Sequence, residues 1–131
     1  MSERKRVCVD LDGVIAQYDG WKGKSHFGDV VPGVKDFLKR LQEKYEICVY
    51  TARQTDLHLV YNYLDRNDVP YDVVWDGRGK PQAVAYLDDR AVVAGQQDMQ
   101  VLKLHHEEYW GFIEEEIESL EEMFDYPKVE K

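Results

Sequence analysis

Two cysteines in 131 residues cannot build a disulfide framework. Neither has another Cys or a His at ligand spacing, which argues against a thiolate zinc site. Both lie inside apolar runs, Cys8 in Val7-Cys8-Val9 and Cys48 in Ile47-Cys48-Val49, so they read as buried structural thiols of a protein kept in a reducing, cytoplasmic compartment. No apolar run is long enough to span a bilayer, so no membrane partner is expected. The amino end, Met1-Ser2-Glu3-Arg4-Lys5-Arg6, lacks the apolar core and cleavage site of a signal peptide. Positive charge is scarce: 17 Lys and Arg against 26 Asp and Glu give a net charge of -9, which argues against a general nucleic-acid or anionic-membrane binder. Internal repeats, low-complexity stretches and linkers are also lacking. With 44% hydrophobic residues, the chain is expected to fold as one domain with a real core.

The most informative segment that is present is Val7-Cys8-Val9-Asp10-Leu11-Asp12-Gly13-Val14. Its apolar start is too short for a helix and ends in two carboxylates and a glycine. This is the pattern of a buried parallel strand emerging at the carboxyl edge of a sheet. Period-two geometry puts Asp10 and Asp12 on one side of an extended chain. Such a pair serves a hard cation, or gives one carboxyl group acid character. The bland alternative is a strand closed by an Asp-Gly turn.

Other segments repeat the arrangement. Tyr45–Tyr50 is strand-like and runs into Thr51-Ala52-Arg53; Ala83–Leu87 is strand-like and runs into Asp88-Asp89-Arg90. Tyr71–Trp75 reads as a further strand, and Gly77-Arg78-Gly79-Lys80-Pro81 as a loop. Val34, Phe37, Leu38 and Leu41 share a helical face after Pro32-Gly33, with Pro expected at the helix start. Leu57, Val60, Tyr61 and Leu64 form a second face, opening near Thr55 or Asp56 and closed by Asn67–Pro70. Strands alternating with helices imply a parallel sheet with right-handed crossovers. Towards the carboxyl end, Tyr109, Ile113, Ile117, Leu120 and Phe124 make a helical stripe, and Glu114, Glu115, Glu116, Glu118, Glu121 and Glu122 read as its solvated face. His105 and His106 read as a surface pair near that helix start. Lys22, Lys24, Arg53, Arg78, Lys80 and Arg90 all fall in segments that follow strands and would ring the acidic centre with cations, which suits an anionic, phosphate-bearing substrate; Lys22 and Lys24 also read as ordinary surface lysines.

The order of carboxylate pair, hydroxyl, lysine and carboxylate pair on successive strand ends resembles the haloacid dehalogenase (HAD) superfamily of phosphotransferases. Asp10-Leu11-Asp12-Gly13-Val14 is similar to its nucleophile motif, Thr51 to its hydroxyl motif, Lys80 to its lysine motif and Asp88-Asp89 to its acidic motif. The resemblance covers roughly residues 6 to 93. It implies an α/β fold, a three-layer Rossmann-like sandwich about a central parallel sheet. The HAD-like hydrolase domain would fill residues 1–131, with its core at about 6–93 and a C-terminal helical segment at about 98–125. It also implies that the strands before and after the Lys80 loop lie on opposite sides of the first strand, so that this loop crosses the catalytic edge.

The resemblance further implies a Mg²⁺-dependent phosphatase. Asp10 would be the nucleophile and Asp12 the acid and base, with Thr51 and Lys80 holding the phosphoryl oxygens. Asp10, Asp12 (through its carbonyl), Asp88 and Asp89 would surround the metal, and Arg53, Arg78, Trp21 and Lys24 would meet the substrate. Larger members carry an inserted cap. Here Ile15 to Val31 leaves room only for a hairpin flap, so a capless member is expected. Its open site would be covered by a large phosphorylated substrate or by a second copy of the chain. The alternative is a catalytically silent or phospho-accepting signalling domain on the same fold. Asp76 is the candidate acceptor there, although the short Gly-Arg-Gly loop around it does not suit that role.

Overall fold

The structure, a computed structural model, describes residues 4–88 and 110–123. Asp89, Arg90, His105, His106, Tyr109 and Phe124 lie outside the described residues. Four strands, β1 (Lys5–Asp10), β2 (Tyr45–Tyr50), β3 (Val73–Val74) and β4 (Ala85–Leu87), form one sheet in the order β3-β2-β1-β4. Every pairing is parallel. The α/β class is therefore as expected. β3 and β4 sit at opposite edges, and the segment joining them packs Trp75 against Arg6 of β1 and Lys80 against Tyr86 of β4.

The helices are α1 (Val34–Gln42), α2 (Leu57–Arg66) and α3 (Trp110–Met123). Alternation along the strands sends Val7, Val9, Ile47, Val49, Ala85 and Leu87 into one apolar cluster. The buried faces of all three helices join it: Val34, Phe37, Leu38 and Leu41 of α1, Val60, Tyr63 and Leu64 of α2, and Trp110, Ile113 and Ile117 of α3. The intervening strand positions Arg6, Cys8, Glu46 and Cys48 fall outside this cluster. The described residues thus supply one helical layer rather than the two of a three-layer sandwich. The other sheet face carries an Arg6–Glu46 ion pair at 2.7 Å, with the Arg6 guanidinium over the Trp75 ring. Cys8 and Cys48 face each other in register and are buried, free thiols. Their hydrogen bond and their burial push the Cys8 thiol up.

Three local readings change. Pro32 precedes the α1 cap instead of opening the helix; the cap is Gly33, in a left-handed conformation (φ 84°) that glycine adopts without strain. In α2, Tyr61 is 39% exposed. Tyr63 takes the inner place, because from Val60 the helical repeat buries positions three and four further on. The third strand shrinks to two residues, since only Val73 and Val74 find ladder partners on β2.

Candidate functional site

The carboxyl edge of the sheet gathers the acidic residues. β1 ends at Asp10, beside Tyr50 of β2. Val9 pairs with Leu87 of β4, which sets Asp88 on the next rung beside Asp10. The Tyr50 hydroxyl donates to Asp88 Oδ2 at 3.0 Å. Burial, then the Asp88 and Asp10 charges, push the Tyr50 pKa well above its ordinary value, so this hydroxyl stays a donor at physiological pH. Tyr50 also meets Tyr86 edge to face, with centroids 6.2 Å apart. Asp10 Oδ1 accepts the Leu11 N–H at 2.8 Å.

Beyond Asp10 the chain turns tightly. The Leu11 carbonyl accepts the Ile15 and Ala16 N–H groups, and Gly13 N–H donates to Ala16 O at 2.7 Å. Gly13 takes φ 96° there, which explains the glycine of the DxDG run. The chain then leaves the sheet as the expected flap. Ile15 to Gln17 pair with Asp29 to Val31, through Gln17 N–H to Asp29 O and Val31 N–H to Ile15 O. The flap returns over α2, where Phe27 stacks on Tyr63 at 4.7 Å and Tyr63 donates to Gly28 O.

Asp12 meets Arg53 across this opening. Arg53 Nε donates to Asp12 Oδ2 at 2.8 Å and Nη2 to Oδ1 at 3.0 Å. The guanidinium also donates to the carbonyls of Gly23, Lys24 and His26 in the flap. It lies 4.8 Å from the Trp21 ring centroid and 4.2 Å from that of Phe27. Thr51 is buried, and its Oγ1 accepts the Arg53 N–H at 3.0 Å. The hydroxyl that was expected to face a phosphoryl group thus also fixes the Thr51–Arg53 turn.

The remaining expected residues are more scattered. The Lys80 ammonium, on the loop between β3 and β4, lies over the Tyr86 ring, 4.5 Å from its centroid. Arg78 pairs with Asp76 at 2.8 Å and is 87% exposed. Lys24 pairs with Asp56, and this contact holds the Asp56 carboxyl below the usual range. Asp56 occupies the expected α2 cap position, yet its side chain makes no capping hydrogen bond. Trp21 is 59% exposed. Asp89 lies outside the described residues. The sequence reading missed Tyr50. Its signal was parity, since Tyr50 follows Cys48 by two on the strand beside Asp10.

Among the described residues no group of three His, Cys, Asp or Glu is close enough to hold a metal. The neighbouring carboxylates of Asp10 and Asp88 are all-oxygen donors. That chemistry fits a hard divalent cation with retained waters.

No family model matches the chain, and no curated protein matches it. A crystal structure of a target protein from Vibrio cholerae is similar: TM-score 0.55, 25% sequence identity, covering 91% of this chain and 98% of that one.

Proposed function

We propose that the protein is a HAD-like, Mg²⁺-dependent phosphatase that hydrolyses a phosphate monoester through Asp10. The observation that carries this reading is the register of β1 and β4, which brings Asp10 and Asp88 side by side at the carboxyl ends of neighbouring strands, with Asp12 two residues beyond Asp10. Ligands of open parallel sheets bind at that edge.

In this reading an Asp10 carboxylate oxygen attacks phosphorus in line, and the bond to the leaving oxygen breaks, giving an aspartyl-phosphate. Asp12 hands a proton to the leaving oxygen. It later takes one from the water that attacks the intermediate, which releases phosphate and restores the Asp10 carboxylate. Both Asp12 oxygens accept from Arg53, and a carboxylate has further lone pairs for this proton. Thr51 Oγ1 accepts from Arg53, which leaves its own O–H to donate to a phosphoryl oxygen. Lys80 supplies positive charge from a flexible stem that can leave the Tyr86 ring. Asp10 and Asp88 would hold Mg²⁺, with the Asp12 carbonyl and Asp89 as further ligands; when bound, the ion offsets the clustered charge and binds phosphoryl oxygens.

The phospho-accepting alternative gains nothing from Asp76. Its carboxylate is engaged by the Arg78 side chain and backbone N–H on an exposed loop.

The test is Asp10→Asn, assayed with an aryl phosphate and Mg²⁺. Turnover should disappear while the urea midpoint holds or rises, because one of two neighbouring negative charges is removed. Retained turnover would refute the nucleophile assignment.

A further inference from the structure

We infer that Arg53 is a positioning residue that ties the flap to Asp12, and that it does not bind substrate. The inference rests on the phosphatase reading for the role of Asp12, while its structural part stands by itself. A guanidinium has five N–H donors. Arg53 uses all of them: Nε and one Nη2 hydrogen on Asp12, the other Nη2 hydrogen on His26 O, and Nη1 on the carbonyls of Gly23 and Lys24. Two aromatic rings, Trp21 and Phe27, lie against the guanidinium as well. Only 8% of the residue is exposed. A cation enclosed in this way has no donor to offer a phosphate without breaking its hold on the flap.

What it does offer is geometry. Three flap carbonyls separated by no more than three residues converge on one rigid fork. The same fork holds both oxygens of Asp12, so flap position and Asp12 orientation become one variable. Lysine cannot reproduce this, because an ammonium has three donors and no planar fork.

The test uses Arg53→Lys in the full chain, with limited trypsin digestion followed by mass spectrometry. The flap carries two cleavage sites, after Lys22 and after Lys24. Loss of the fork should raise their cleavage rates by ~10-fold or more, since the flap opens more often once the hydrogen bonds that pin its carbonyls are gone. Far-UV circular dichroism and the thermal midpoint separate local loosening from global unfolding. Should Arg53→Lys not fold, Trp21→Ala and Phe27→Ala, which remove one ring each, are read in the same way. On an aryl phosphate, kcat should fall while competitive inhibition by inorganic phosphate stays within ~2-fold of wild type, the split expected when positioning rather than binding is impaired. Unchanged cleavage after Lys22 and Lys24 in a folded Arg53→Lys variant would overturn the inference. So would phosphate inhibition weakened ~10-fold with kcat retained, the signature of lost ground-state binding. Failure of the phosphatase reading is registered separately, by Asp10→Asn, and leaves the digestion result intact.

Discussion

Tyr50 shows how one hydroxyl can decide the behaviour of a carboxylate cluster. It stands at the end of β2, donates to Asp88 and borders Asp10. Its raised pKa, caused first by burial, keeps the proton on oxygen throughout the working range. Tyr50→Phe keeps the ring and its edge contact with Tyr86 but removes the donor. Loss of a hydrogen bond to a charged acceptor should lower unfolding stability by about 1.5 kcal/mol, measured as a shift in urea midpoint at constant slope. On the phosphatase reading, Asp88 also loses one of the contacts that orient it. The Mg²⁺ concentration for half-maximal activity should then rise by roughly tenfold. An unchanged midpoint would show that the Tyr50–Asp88 contact contributes nothing net. An unchanged Mg²⁺ response would show that Tyr50 does not orient Asp88 toward the metal.

The elements differ in how well the chain announces them. β1 and β2 were legible because uninterrupted apolar runs declare a strand buried on both faces. The flap was legible as a length, Ile15 to Val31, too short for a domain. Its attachment was not, because nothing local to Arg53 says that three carbonyls about thirty residues earlier return to meet it. β3 is shorter than the run Tyr71–Trp75 suggests: the Asp72 and Trp75 N–H groups still donate to Ile47 O and Val49 O of β2, but only Val73 and Val74 hold strand register there. The acidic face of α3 is solvated as its helical spacing predicts, with Glu115 and Glu122 exposed, but the spacing does not show which of its glutamates find cations. Glu114 pairs with Arg40, Glu118 with Lys44, and Glu121 with Lys5 and the Tyr45 hydroxyl, so α3 docks through charge as well as through Trp110, Ile113 and Ile117. The Tyr45 hydrogen bond, then Lys5, hold the Glu121 pKa below its ordinary 4.5. A carboxyl depressed by folding stabilises above its unfolded pKa, and that contribution fades as pH falls through the folded value. Glu121→Gln should therefore cost roughly 1 kcal/mol at pH 7. The gap from wild type should close as the pH is taken below the ordinary glutamate range, as followed by urea denaturation across pH. A gap independent of pH would assign the effect to packing rather than charge.

At the scale of the whole molecule, the flap is tied to the carboxyl edge through Arg53 and Asp12, and the β3–β4 connection carries Arg78 and Lys80. Between Arg53 and α2 there are only three residues, Gln54 to Asp56, so among the described residues no domain is inserted at that point. A site open to water gains little from each phosphate contact, and a small ester brings little remote binding energy to offset this. Trp21 is where a larger substrate would find that energy. Its ring rests on Arg53, which holds Asp12, yet more than half of its surface faces solvent. On the phosphatase reading, kcat/KM should rise with the size of the leaving group, by about tenfold or more for esters long enough to cover the Trp21 ring. Trp21→Ala should collapse the ratio between large and small esters. The measurement is a series of phosphate esters of graded leaving-group size, assayed at subsaturating concentration with wild type and variant in parallel. Equal efficiency along the whole series would count against a substrate that covers its own site. A second copy of the chain would then be the remaining cover, and kcat/KM should rise with protein concentration in step with a monomer–dimer equilibrium seen by sedimentation, because half of the lid would come from each partner.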